Sequence, residues 1–262
     1  MQFFRFRHML KAISGILFFT FISSAFSYAE TTVTLLTDNS YKPYSFVEKN
    51  ALQGSYIDVI KTLDREIDNF KIELQAKPWR QARQMVENGD AIGIIGTYFN
   101  AALWPDIYPY SQPIAEEQVV VVCAADSRYL NKTWPSGFAG ALLANVAGYD
   151  GWVNNEVRSE TLTKLINFIE VPNVDVAYNM VNKKNIDCTL FEKDTLSYLN
   201  SKRDVQPPVI AAHVSSETVH IGYSKKALSD SKFPFAAQFI KEMDIAIHNY
   251  KSRQPRITAD YK

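Results

Sequence analysis

What most narrows the fold of this chain is a set of short, wholly apolar strands separated by single amphipathic helices. Ala82, Met85 and Val86 place an apolar stripe at i, i+3 and i+4, and Gly89 stops that helix as its left-handed C-terminal residue. Ala91 to Ile95 follows as a β-branched run with no polar alternation. A strand without a polar face is covered on both sides, which is the habit of parallel sheets whose crossover helices lie on their faces. The same order precedes it. Thr32 to Thr37 is a strand ending in the turn Asp38-Asn39-Ser40-Tyr41-Lys42-Pro43. Ser55 opens a helix with Asp58 as its capping-box partner, and Ile57, Ile60, Leu63 and Ile67 form its apolar face. Phe70 to Leu74 is the next strand. Connections of this length permit only right-handed crossovers, so the sheet is expected to be parallel.

The grammar returns in the second half. Gln118 to Ala124 and Leu142 to Ala147 are strands, the latter ending at Gly148-Tyr149-Asp150-Gly151. A helix is expected from Glu160 to Asn167, a strand at Phe168 to Val171, and a helix marked by Val176, Ala177, Met180 and Val181. Ile186 to Phe191 is a strand delivering Glu192, Val219 to Tyr223 is another, and Phe235 to Tyr250 is the last helix. Two such units joined through a β-branched strand predict two similar α/β lobes without internal sequence identity.

The first 29 residues stand apart. Arg5, Arg7 and Lys11 precede an apolar stretch from Ala12 to Phe26, and Ser27-Tyr28-Ala29 is a small-x-small cleavage site, the pattern of a secretory signal peptide. With no cysteine before Cys123, a lipid anchor is not expected. The whole chain holds 28 basic and 28 acidic residues, and three of the basic ones fall in this leader, leaving a slightly acidic mature protein. That balance argues against nucleic acid and anionic lipid as partners. Cys123 and Cys188 sit in apolar strands; the oxidising compartment permits a disulfide, and two buried thiols are the alternative. The histidines show no metal-ligand spacing, so neither metal nor cofactor is expected.

In open parallel sheets ligands bind beyond the carboxyl ends of the strands. That rule collects Asp38, Tyr41, Trp79, Thr97, Tyr98, Tyr149, Asp150 and Glu192, a set that is aromatic and acidic. Each has a structural alternative. Asp38 suits an Asx-turn, Trp79 a hydrophobic staple, Asp150 a helix cap, and Glu192 an internal ion pair. There is no Gly-x-Ser-x-Gly elbow or phosphate loop, and enzyme activity is not expected.

Tyr41-Lys42-Pro43-Tyr44-Ser45-Phe46 with Gly54-Ser55-Tyr56-Ile57-Asp58, Pro78-Trp79 with Gly89-Asp90-Ala91, Tyr110-Ser111-Gln112-Pro113, and Asn185-Ile186-Asp187-Cys188 with Glu192 form an ordered series across the mature chain. The series resembles the bacterial extracellular solute-binding proteins of family 3, periplasmic receptors of polar-amino-acid ABC importers. The resemblance implies a two-lobed periplasmic binding protein (type II) fold, each lobe a mostly parallel sheet flanked by helices, joined by two crossing strands. Residues 30–117 and 218–262 would form lobe 1 and residues 118–217 lobe 2. It further implies a monomeric periplasmic protein that hands a small-molecule ligand to an ABC permease in the inner membrane. Tyr41 and Trp79 match the aromatic pair that sandwiches the ligand, and Glu192 the acid that holds its amino group.

One departure bears on the ligand. The family places an arginine after the third strand's loop to clamp a carboxylate, whereas this chain has Asn100-Ala101-Ala102-Leu103-Trp104 there, with no Arg or Lys between Arg83 and Arg128. A cationic or amine-bearing solute is therefore expected, unless Arg80 or Arg83 reaches the site. A sensor acting on a membrane receptor, and a small-molecule enzyme such as a small-acid dehydratase, are the alternatives.

Overall fold

In the computed structural model, residues 30–152, 165–203 and 206–253 are described. The leader assigned to residues 1–29 and most of the helix expected from Glu160 lie outside them.

The first unit forms around β1 (Thr31–Asp38), which buries Val33 and then every residue from Leu35 to Asp38. It pairs in parallel with β5 (Phe70–Lys77) over its full length and with β6 (Gly93–Tyr98) on its other side. The crossover helices are α1 (Ser55–Asp64), which buries Tyr56, Ile57, Ile60 and Leu63, and α2 (Trp79–Asn88), which buries Trp79, Ala82 and Val86. Gly89 ends α2 at φ 84°, its amide bonded back to the last turn. The capping box does not form: α1 begins after Gly54, with no side-chain cap bond from Ser55 or Asp58. Gly54 holds φ 128°, and a Cβ there would lie 2.3 Å from the Tyr44 carbonyl oxygen, so close backbone approach rather than a polar cap sets this end. Within the turn after β1, β2 (Ser40–Tyr41), β3 (Ser45–Glu48) and β4 (Ala51–Gln53) make a small antiparallel sheet that apolar periodicity did not announce.

The strand read as Ala91 to Ile95 runs on, and a second short strand follows it. β6 continues to Tyr98, and β7 (Ile107–Tyr110) pairs with the last strand. β8 (Ala115–Cys123) then leaves the first unit. The second unit holds β9 (Leu142–Val146), β10 (Asn167–Val171), α3 (Val174–Asn182), β11 (Cys188–Glu192) and α4 (Lys193–Ser201). β9 pairs in parallel with both β10 and β11, while β11 runs antiparallel to β8. Asn173 caps α3 by accepting the Val176 amide proton.

β12 (Val209–Ser224) is three times the length read from its apolar core. Its first part lies along β8 from Val209 to Val219, and its last part pairs with β6 from Val219 to Tyr223. The two units are thus one nine-stranded sheet, in the order β10-β9-β11-β8-β12-β6-β1-β5 with β7 beside β12. Register shifts at Ile210, His213 and His220 let β12 bend as it passes from one half to the other. The closing helix α5 (Ala236–Arg253) packs Phe239, Met243, Ala246 and Ile247 into the first unit's core. Cys123 and Cys188 face each other across β8 and β11 and are joined in a disulfide, which settles the alternative the sequence left open.

Candidate functional site: an acidic, aromatic cavity

Between the two halves of the sheet lies a cavity of about 30 Å³. Its charged lining is Asp38 from the end of β1 and Glu192 from the end of β11. The rings around them are Tyr41, Tyr98, Tyr149, Trp79, Trp104 and Trp152, with the backbones of Gly96 and Gly151 completing the wall. Gly96 sits at φ 94° at the turn of β6, a conformation that favours glycine and lets the strand pass close to Tyr56. The rings meet largely edge to face: Tyr149 lies 5.3 Å from Tyr41 and 6.2 Å from Trp79, and Trp79 lies 6.3 Å from Trp104. A volume near that of one water molecule means any larger solute enters by parting these walls.

The carboxylates are deeply buried. Asp38 is 2 % exposed and Glu192 7 %. One oxygen of Asp38 accepts the Ser40 amide in an Asx-turn at 2.8 Å, and the other accepts the Tyr149 hydroxyl at 2.6 Å. The turn role and the cavity position therefore coexist in one side chain. Burial pushes its pKa up to about 6, against the lowering effect of those hydrogen bonds. Glu192 lies 3.3 Å from the hydroxyls of Tyr98 and Thr195, whose shorter bonds go to Glu117 and to the Lys42 carbonyl, and burial pushes its pKa up as well.

A third acid, Glu117, was not in the sequence-derived set. It is 4 % exposed and accepts the hydroxyls of Tyr41 (2.6 Å), Tyr56 and Tyr98. Burial, then the nearby charge of Glu192, drives its pKa well above the ordinary carboxylate value. The signal was present: Glu117 is in phase with Val119 and Val121 along β8, so strand alternation places it on their buried face. Trp104 and Trp152 were also passed over. Trp104 stands in the very segment from which the expected arginine is missing.

Of the other predicted site residues, Thr97 is fully buried and donates to the His220 carbonyl, away from the cavity wall. Asp150 is not in the wall either. It pairs with Arg83 at 2.6 Å, and the Arg83 guanidinium lies 5.4 Å from the Trp104 ring, behind the indole. Arg80 pairs with Glu170. Neither arginine lines the cavity, and among the described residues no cationic side chain does. Phe99, next to Tyr98 in sequence, is 60 % exposed.

Two α/β halves joined by the long strands β8 and β12, with a cavity between them, define a two-lobed periplasmic binding protein fold. The sequence pattern of the bacterial extracellular solute-binding proteins, family 3, matches residues 33–195, and the chain belongs to that family. Holo ArgBP from T. maritima is similar in structure, with a TM-score of 0.67 at 16% identity over 84% of this chain and 90% of that one. A histidine kinase sensor domain with similarity to periplasmic binding proteins superimposes with a TM-score of 0.72 at 12% identity, over 85% and 91% of the two chains. The ancestral amino acid-binding protein AncCDT-1, a precursor of cyclohexadienyl dehydratase, gives 0.63 at 19% identity over 85% and 90%. No curated protein matches the sequence. The chain is accordingly a solute-binding protein of an extracellular family.

Proposed function

We propose that the protein captures a small cationic, amine- or guanidinium-bearing solute in the cavity between its lobes and delivers it to an ABC permease in the inner membrane. The observation that carries this is the cavity lining: two buried carboxylates and six aromatic rings, with no cationic side chain among the described residues. An anionic ligand would be repelled by Asp38 and Glu192 and would find no partner for its own charge. A cation neutralises those carboxylates and gains the ring faces as well. The arginine-binding neighbours support a cationic ligand. An α-carboxylate would need a donor other than the family's arginine, since Asn100 to Trp104 occupies that segment. On this reading the first lobe comprises residues 30–117 and 218–262, the second residues 118–217, and β8 and β12 are the hinge that opens the cavity.

A thermal-shift screen of the mature protein against L-arginine, L-lysine, 1,5-diaminopentane, L-glutamate and L-leucine tests it. Stabilisation by the cations alone is the expected result; a ligand at 100 times its Kd adds roughly 2.7 kcal/mol. A response to glutamate or leucine and none to the cations overturns it. The sensor-domain neighbour favours a second reading, in which the same capture reports to a membrane receptor. Co-purification with a receptor rather than a permease would distinguish them.

A further inference from the structure

The hydrogen bonds of the cavity's rings all run one way. A phenol has a single proton to give. Tyr41 gives its proton to Glu117 Oε2 at 2.6 Å, Tyr98 gives its proton to the same oxygen, and Tyr149 gives its proton to Asp38 Oδ2 at 2.6 Å. Each hydroxyl then has only lone pairs left to offer a ligand. Two of the indoles are committed in the same sense. Trp79 donates to the Gly148 carbonyl at 2.9 Å and Trp152 to the Tyr149 carbonyl at 2.7 Å. With Asp38 and Glu192, the wall becomes a set of acceptors. The exception among its indoles is Trp104, whose buried N–H has no partner among the described residues.

Resting on the cation reading above, we infer that Glu117 is a specificity-determining residue. By orienting the Tyr41 and Tyr98 hydroxyls, it makes the site select a cation that carries N–H donors, a primary ammonium or a guanidinium, over a quaternary ammonium of equal charge. A quaternary ligand satisfies the carboxylates electrostatically and stacks on the rings, yet it leaves the tyrosine oxygens buried without donors, which is costly. Charge and aromaticity alone would favour both ligands. The excess of acceptors in the wall separates them.

The arrangement survives a change in the protonation of Glu117. Its Oε1 faces Tyr56, which does not line the cavity, whereas Oε2 alone receives Tyr41 and Tyr98. A proton carried on Oε1 leaves Oε2 an acceptor for both cavity hydroxyls. The other acids near Glu117 are Glu192, Asp194 and Glu217, and all add negative potential that holds the hydroxyl protons toward the carboxyl cluster. The three tyrosines also come from the first unit, on β2, α1 and β6, so the network travels with that unit when the halves separate.

Isothermal titration of the mature protein with two matched pairs tests the inference. The pairs are L-lysine with Nε-trimethyl-L-lysine, and 1,5-diaminopentane with its N-trimethyl derivative. In the unmodified protein the N–H-bearing member of the tighter-binding pair should win by about tenfold or more. Glu117→Gln should bring that ratio close to one, because the amide donates to one tyrosine oxygen and turns that hydroxyl's proton into the cavity. Tyr98→Phe, which deletes an acceptor while keeping the ring, should lower the ratio independently if the glutamine variant fails to fold. Equal or tighter binding of the trimethyl ligands overturns this inference and leaves the cation reading standing. So does a Glu117→Gln variant that weakens both members alike and keeps their ratio, the mark of a purely structural carboxylate. Binding of neither pair, nor of L-arginine, overturns the cation reading and this inference together.

Discussion

The Tyr149 hydroxyl donates to Asp38 Oδ2 at 2.6 Å, joining the end of β1 to the turn after β9 across 111 positions of sequence. This bond spans the cavity, so the acid that would face a ligand is held by a ring from the opposite half. Removing the donor with Tyr149→Phe takes away an interaction that lowers the Asp38 pKa while leaving its burial in place. Cation binding needs Asp38 ionised, so affinity should climb with pH through about 6 in the unmodified protein. In the variant that climb should move to higher pH. Kd measured by calorimetry from pH 5 to 8 checks it, and an unmoved profile would detach Asp38 from binding.

Asp38 also predicts how stability responds to pH without ligand. Its folded pKa of about 6 lies above the ordinary 3.8, so between those values the folded protein holds more protons than the unfolded chain. Stability from this group is therefore greatest below the lower value and falls as pH rises through the window, by on the order of 3 kcal/mol in all. Glu117 and Glu192, both raised, act in the same sense. Asp38→Asn should flatten the decline in urea unfolding between pH 4 and pH 7; an unchanged slope would contradict the assignment.

Gly151 stands in the wall where a side chain has no room. A Cβ there would stand 2.6 Å from Trp104 Cη2 and 3.2 Å from Tyr98 Cδ2, so Gly151→Ala must displace the indole or the tyrosine. The expected result is a drop in cation affinity of about tenfold or more with a melting temperature within a few degrees of the parent, because strain at a cavity wall is relieved toward open space. Calorimetry and thermal unfolding together decide it.

The Cys123–Cys188 bridge closes a chain separation of 65 residues within the second unit. The chain-entropy relation puts its contribution at about 4 kcal/mol. Reduction, or the double Cys→Ser variant, should lower the denaturant midpoint accordingly. Ligand affinity at low denaturant should change little, since neither cysteine lines the cavity. A bridge that sets the closed geometry would instead show itself as a loss of affinity.

Much of this architecture was legible in the sequence because parallel strands carry their burial in local composition. β6 and β11 are buried on both faces, α1 and α2 carry their stripes, and Gly89 marks a helix end through a backbone angle that other residues resist. Boundaries failed where local pattern is silent. β12 is polar from His213 to Thr218 except at Val214, so that stretch resembles a loop until β8 supplies a partner. The sheet of β2 to β4 escaped for the same reason, being held by pairing within a turn rather than by an apolar run.

By itself the sequence determined that strand ends would deliver acids and aromatic rings to one place, since alternation and strand order are written residue by residue. It also determined that no arginine follows the third strand to meet a carboxylate. Which groups actually meet was decided only by the tertiary structure. Arg83 is close in space to the cavity, yet Asp150 and the Trp104 ring hold it behind the wall. Glu117, one of two adjacent glutamates in sequence, becomes the acceptor of three tyrosines because strand phase turns it inward and three separate elements converge on it. Hydrogen-bond direction is the reason for the difference. A tyrosine's composition says that it can give or accept a proton, and only its packed neighbours determine which of the two it has left for a ligand.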